Sequence, residues 1–234
     1  MTLNGKRALI TGGSDGIGLA IGRLLAEKGA RVALMARNAD KLNVAAATIG
    51  ALAIPGDVAR PEDARGAADR TVAELGGIDI LVNNAGIGTW GSLVDLDIKD
   101  FDRVFAVNVR GALLMAKAVA PHMIRQASGN ILNIASTSGL KGSANGTVYC
   151  ASKFALRGMT ECWRDELRRH NIRVTLVNPS EVQTNFFVAN LGQTRPENEK
   201  KLRGEEIAAA VVGALEIDDR GFIPEFSVFA TNPF

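Results

Sequence analysis

Tyr149 and Lys153 stand four residues apart in Tyr149-Cys150-Ala151-Ser152-Lys153, within a stretch that reads as helix. Side chains at i and i+4 share one helical face, so a phenol and an ammonium stand side by side. A free phenol titrates at about 10, too high to trade protons usefully near neutral pH. An adjacent fixed cation favours phenolate, so Lys153 is expected to move Tyr149 toward the working range. Tyr149 is the single tyrosine of the 234-residue chain. Ser136, thirteen residues upstream in a polar Gly/Ser/Thr run, could add a hydroxyl to the same site. Taken alone, the pair could equally be a tyrosine beside a lysine on a solvated face.

The elements that must position these groups follow from patterning. Short apolar runs alternate with longer amphipathic ones, the pattern of a parallel sheet covered by helices. Strands are predicted over 7–10, 31–36, 51–55, 78–82, 129–135, 173–178 and 222–225, and helices over 16–28, 39–49, 61–75, 99–124, 147–169 and 205–215. The fold class is α/β: a doubly wound, mostly parallel sheet of Rossmann type in a three-layer α/β/α sandwich. Residues 1–234 fit one domain of this kind. Residues 183–204 stand apart as polar, aperiodic sequence around Pro196, either an ordinary solvated loop or a flap over a site at the strand ends.

Composition narrows the function classes. A formal charge of +2 gives no electrostatic case for nucleic acid or an anionic membrane. No apolar run is expected to reach the length of a membrane span, and the N-terminal residues carry no secretory pattern. Cys150 and Cys162, if on one helix, are separated by roughly 18 Å of rise, too far for a disulfide. Reduced thiols fit a cytoplasmic protein. His122 and His170 have no nearby ligand pattern, so no metal is expected.

The first strand runs into Thr11-Gly12-Gly13-Ser14-Asp15-Gly16-Ile17-Gly18 and then a helix. Glycines there let the backbone turn tightly and approach a pyrophosphate, which the N–H groups and dipole of the helix N-terminus would hold. Such glycines can also serve packing alone. Asn108 follows Phe101, Val104 and Phe105 on the buried stripe of its helix, where an amide must find hydrogen bonds.

The T-G-x-x-x-G-x-G turn resembles that of the short-chain dehydrogenase/reductase family. Other motifs follow in order: Asn83-Asn84-Ala85-Gly86, Asn108 in Val107-Asn108-Val109, Asn133-Ile134-Ala135-Ser136, Tyr149 with Lys153, and Val177-Asn178-Pro179. The resemblance spans residue 5 to about residue 225. Ser180 replaces the family's usual glycine after Asn178-Pro179, and the Ile223-Pro224-Glu225-Phe226 segment lacks the Gly-Gly ending of many fatty-acid-type reductases.

The resemblance implies hydride transfer between a nicotinamide and a carbonyl or alcohol carbon. Tyr149 would be general acid or base, Ser136 a donor to the oxyanion, and Lys153 a contact to the nicotinamide ribose. Asn108 would position a water linking Lys153 to solvent, although a purely structural asparagine satisfies the same burial. Cofactor contacts are implied for Gly12, Ser14, Asp15, Gly16, Ile17, Gly18, Asp57, Val58, Asn84, Ala85, Gly86, Pro179, Val182 and Thr184, besides Tyr149 and Lys153. Asp57 would meet the adenine amino group, or else cap the helix opening near Pro61.

Strand two ends at Ala36-Arg37, where NAD-dependent members of the family carry an aspartate at the position of Ala36. The missing carboxylate and the presence of Arg37 favour NADP, with NAD possible. Asp15, where many NADP-dependent members have a basic residue, pulls against that preference. The expected partners are a small carbonyl or alcohol substrate and further copies of the chain, as homotetramer or homodimer. A 3-oxoacyl-carrier-protein-type reductase is the enzymatic alternative. A dinucleotide-sensing protein without turnover is the non-enzymatic one, and it is disfavoured because Tyr149 and Lys153 are both present.

Overall fold

Each short apolar run lies in a single parallel sheet, with its helices returning the chain across one face or the other. The computed structural model describes residues 2–186, 190, 192 and 196–233. In chain order the elements are β1 (Arg7–Thr11), α1 (Gly16–Glu27), β2 (Arg31–Ala36), α2 (Ala39–Thr48), β3 (Leu52–Pro55), α3 (Pro61–Leu75) and β4 (Ile80–Asn83). Next come α4 (Ile98–Phe105), α5 (Ala112–Gln126), β5 (Gly129–Ile134), α6 (Thr147–Leu167), β6 (Ile172–Pro179), α7 (Gly204–Glu216) and β7 (Glu225–Val228).

The strand order is β3-β2-β1-β4-β5-β6-β7, all parallel. Strand succession reverses direction between β1 and β4, and in doubly wound sheets the crevice at such a switch point takes the ligand. Alternation along each strand feeds two cores. Leu9, Leu81 and Ile131 point toward α3, α5 and α6, meeting Ala67, Met115 and Leu156. Ile10, Val82 and Leu132 point toward α1 and α7, meeting Ile21, Leu25, Ile207 and Val211.

Several boundaries differ from expectation, and three of the differences have a local reason. Residues 98–126 form one continuous helical run, but α4 and α5 are joined by a π turn at Ala106–Gly111. Such turns insert an extra residue per turn and shift side-chain phase, often at functional sites. This run is also long and apolar enough, by length and composition, to cross a membrane, contrary to expectation. It instead buries Met115, Val119 and Met123 against the sheet.

The fourth strand starts at Ile80 rather than 78, and just before it the Asp79 carboxylate accepts from Arg7 N at 2.9 Å and pairs with the Arg7 guanidinium at 2.6 Å. The last strand spans Glu225–Val228 rather than 222–225. Pro224 has no N–H to give a ladder. The carbonyls of Ile223 and Pro224 accept from Thr175 Oγ1 and Leu176 N at 2.8 and 3.0 Å.

Candidate active site

The Tyr149 end of the site is built on the first turns of α6 and the end of β5. Helix α6 is pinned to the sheet by a buried amide ladder: Asn83 Nδ2 donates to Asn133 Oδ1 at 2.9 Å, and Asn133 Nδ2 donates to Thr160 Oγ1 at 2.8 Å. With α6 fixed, Tyr149 and Lys153 project toward the C-terminal ends of the strands. Lys153 is 4 % exposed, and its Nζ donates to the Ile134 carbonyl at 3.0 Å. It also lies 5.6 Å from the centroid of the Tyr149 ring.

Ser136 follows β5 and bonds the Tyr149 hydroxyl. Its Oγ also accepts from Ser138 N at 3.1 Å, which fixes the hydroxyl on the site side of the chain.

The π turn delivers Asn108. This side chain is 1 % exposed, accepts from Ile87 N at 2.8 Å and donates to Ile87 O and Ser152 Oγ at 2.9 and 3.0 Å. Ser152 in turn donates to Tyr149 O at 2.8 Å. Ser152 escaped the sequence reading because nothing in its spacing marks it; only the register of two helices brings it to Asn108. A Cβ on Gly86 would lie 3.4 Å from Asn108 Oδ1 and 3.6 Å from Lys153 Nζ, so both side chains converge on the Gly86 backbone.

The electrostatics correct one expectation. Burial pushes Tyr149 up to about 12, against the lowering by the Ser136 hydrogen bond, and neighbouring Cys150 adds to the rise. Burial also pushes Lys153 down, to about 8. Lys153 therefore does not lower Tyr149 here: withdrawal from water disfavours the charged form of both groups. Tyr149 is held in its acid form across the neutral range.

From this end a cavity of about 670 Å³ runs along the strand ends to β2. Its wall includes Gly12, Ser14, Asp15, Gly16, Ile17 and Arg37, and then Asn84, Ala85 and Gly86. Ser136, Tyr149, Lys153, Pro179, Val182 and Thr184 continue it. Gly16, at φ +51°, opens α1 in a conformation that disfavours any side chain. The N-terminus of α1 faces the cavity, and its N-cap Asp15 already places a carboxylate at the positive end of the helix dipole.

Gly18, Asp57 and Val58 lie outside the wall. A Cβ on Gly18 would sit 2.5 Å from the Gly12 carbonyl, so its lack of a side chain serves helix–turn packing. Asp57 closes its own turn by accepting from Ala59 N at 2.9 Å, and it is not the cap of α3. Buried Val58 packs against Gly111. Ser180 lines the cavity without strain: it is not among the described residues with positive φ, and its N–H bonds Val228 O at 2.9 Å.

Beyond Tyr149 the wall is aromatic. Trp90 and Phe186 lie 5.3 and 5.8 Å from Tyr149, centroid to centroid, and 6.1 Å from each other. Asn190 Oδ1 accepts from Gly88 N at 3.0 Å, tying the polar segment after β6 to the loop that carries Trp90. Of that segment, 187–189, 191 and 193–195 lie outside the described residues. Its base is fixed by Gln183, whose N–H donates to Leu202 O at 2.7 Å and whose side chain accepts from Asn198 N at 2.6 Å.

A family model described as short chain dehydrogenase matches residues 6–195. The chain belongs to that family. An uncharacterized oxidoreductase of Staphylococcus aureus is 38% identical over 216 residues, covering 91% of this chain and 92% of the relative. Among solved structures, a metagenomic short-chain oxidoreductase in complex with NADP superposes with a TM-score of 0.85 at 34% identity, over 99% of this chain and 100% of that one. The 3-ketoacyl-(acyl-carrier-protein) reductase of Brucella melitensis complexed with NADH reaches 0.90 at 28% identity, over 99% and 100%. The seven-stranded sheet with flanking helices is the Rossmann-type fold expected, and this short-chain dehydrogenase is an oxidoreductase by family.

Proposed function

We propose that this short-chain dehydrogenase is an NADPH-dependent carbonyl reductase in which Tyr149 delivers the proton to the carbonyl oxygen. The observation that carries the reading is Tyr149 hydrogen-bonded to Ser136 beside Lys153, in a cavity whose other end presents Arg37. The cofactor, when bound, supplies hydride. The α1 N-terminus and the Gly12–Gly16 turn would hold its pyrophosphate, Arg37 its 2′-phosphate, and Lys153 its nicotinamide ribose. Gly18, Asp57 and Val58 support the cradle from behind.

Carbonyl reduction builds negative charge on oxygen. Tyr149 and Ser136 both present hydroxyl groups there, one donating the proton and one a hydrogen bond. The high pKa of Tyr149 suits the reductive direction, because the acid form predominates wherever the enzyme works. Lys153 and the Asn108–Ser152 pair hold the Tyr149 turn in place, and Asn108 would seat the water that reconnects Lys153 to solvent. Trp90 and Phe186 favour apolar or aromatic carbonyl compounds. The fold shared with a 3-ketoacyl reductase supports a second reading, an acyl-type β-keto substrate.

Leu113 on α5 and Phe154 on α6 are 42% and 43% exposed, and Phe229 beyond β7 is 64% exposed. These apolar faces support a homodimer or homotetramer. Phe234, which belongs to the same tail, lies outside the described residues. The free thiols of Cys150 and Cys162 support a cytoplasmic setting.

The test is an NADPH-oxidation screen over ketones, β-ketoesters, quinones and sugar-derived carbonyls. Turnover lost in Tyr149→Phe supports the reading; turnover that survives, or a screen in which NADPH is never consumed, contradicts it.

A further inference from the structure

Asp15 caps α1 by accepting from Gly16 N at 2.7 Å. Its other oxygen, Oδ2, accepts from Lys41 Nζ at 2.6 Å and from Asn185 Nδ2 at 2.6 Å. Lys41 sits in the first turn of α2, where Asn38 caps the helix by accepting from Lys41 N at 2.9 Å. That cap fixes the backbone of Lys41 four residues after Arg37, at the same end of the cavity. Arg37, Lys41 and Asp15 all line the wall. Arg37 is exposed there, and no described carboxylate pairs with it.

Two cations therefore face one end of the cavity, and one of them is paired. A side chain as long as lysine can pivot about a fixed backbone between two acceptors within its reach. If Lys41 left, Asp15 would keep two donors, Gly16 N and Asn185 Nδ2, so the exchange strands no carboxylate. Burial alone would raise the Asp15 carboxyl, but hydrogen bonds from Lys41, Asn185 and Gly16 together hold it below its ordinary range. Asp15 is thus an anion in competition with any phosphate that enters beside Arg37.

We propose that Lys41 is a second 2′-phosphate ligand, shared between Asp15 and the phosphate, and that this sharing sets the degree of NADP over NAD preference. The proposal rests on the NADPH reading above. It recasts Asp15: beyond repelling the phosphate, it withholds a cation from it. Part of the Lys41 contact is spent in breaking the Lys41–Asp15 pair, so the native preference sits below what two free cations would give. NADH has no 2′-phosphate and leaves the pair intact.

The experiment is calorimetric titration of the free enzyme with NADPH and NADH, and with adenosine 2′,5′-bisphosphate against 5′-AMP, in wild type, Lys41→Met, Asp15→Asn and the double variant. The readout is the affinity ratio between the phosphorylated and plain ligands. Lys41→Met should lower that ratio about ten-fold, the loss of one charge-assisted contact, while sparing NADH. Asp15→Asn keeps an acceptor for Gly16 N and should raise the ratio, and the rise should shrink markedly when Lys41 is already absent. Lys41→Arg should retain most of the ratio.

An unchanged ratio in Lys41→Met overturns the proposal. So does an Asp15→Asn gain of equal size with and without Lys41, which would mean repulsion alone. If Asp15→Asn does not fold, Asp15→Ser preserves a capping oxygen and carries the same comparison. A wild-type ratio at or below one sinks the NADPH reading itself, which distinguishes the two failures.

Discussion

The two ends of the cavity use charge in opposite ways. At the α6 end Lys153 is buried and Tyr149 half-buried, their partners are backbone and hydroxyl groups, and their proton affinities move by desolvation. At the β2 end Arg37 and Lys41 are exposed, and the Lys41–Asp15 ion pair there has side chains 49% and 36% exposed. A buried group changes its chemistry because the medium cannot stabilise its charge. An exposed one keeps its charge and offers a contact that water and salt weaken. Chemistry and cofactor choice are thereby separable: substitutions at the α6 end should change rate, and those at the β2 end should change which dinucleotide is bound.

The largest expected break comes from Lys153→Met, which should lower kcat by about 10³-fold through the Tyr149 turn. Cofactor affinity should fall with it; an unchanged NADPH affinity would remove the ribose contact. The same variant tests burial. Lys153 titrates near 8 in the folded protein against an ordinary 10.5. Between those values the unfolded chain holds more protons than the folded one, so wild-type stability should rise with pH across that window relative to Lys153→Met. The full difference is on the order of 3 kcal/mol, read as denaturation midpoints at pH 7.5 and 10.5.

Ser136→Ala should cost about 10²–10³ in kcat, the loss of one oxyanion donor, with cofactor affinity unchanged. An equal fall in NADPH affinity would move Ser136 from the chemistry to the cradle. At the other end, Ala36→Asp with Arg37→Ile should turn the preference toward NADH, by about ten- to a hundred-fold, since a charge-assisted contact contributes roughly 1.5–3 kcal/mol. Retained NADPH preference in that variant would contradict the role of Arg37. The smallest effect is salt. The NADPH:NADH affinity ratio should fall by about two-fold between 0.05 and 0.5 M salt, because exposed charges are screened. Turnover at saturating NADPH should stay level.

Sheet order and motif placement were legible because they rest on patterns with one physical outcome. Apolar runs of the length of Ala8–Ile10 or Ile80–Val82, spaced by amphipathic helices, leave few topologies open. The ladder of Ser136, Tyr149 and Lys153 followed from helical periodicity and resemblance together. What escaped the sequence lies between elements. The π turn at Ala106–Gly111 has no local signature in Ala106-Val107-Asn108, yet it sets the phase of Asn108. Ser152 reaches Asn108 only through packing of α6 on the π turn, and Lys41 reaches Asp15 only because the start of α2 lies near the N-cap of α1. The raised pKa of Tyr149 is illegible in the sequence for the same reason: spacing shows a neighbouring cation, but the extent of burial is a property of the fold. At Gly18 and Asp57 the motif positions also carry structural work: a Cβ on Gly18 would meet the Gly12 carbonyl, and Asp57 Oδ1 closes a turn on Ala59 N.

The central claim is that Tyr149 is the proton donor and nothing else in the site replaces it. Single-turnover reduction of a substrate found in the screen, by Tyr149→Phe preloaded with NADPH, tests it most directly. Phenylalanine keeps the ring contacts to Trp90 and Phe186, so NADPH affinity should match wild type while the hydride-transfer rate falls by at least about 10³-fold. A Tyr149→Phe enzyme that binds NADPH normally and still reduces substrate at more than roughly a few per cent of the wild-type rate would contradict the account.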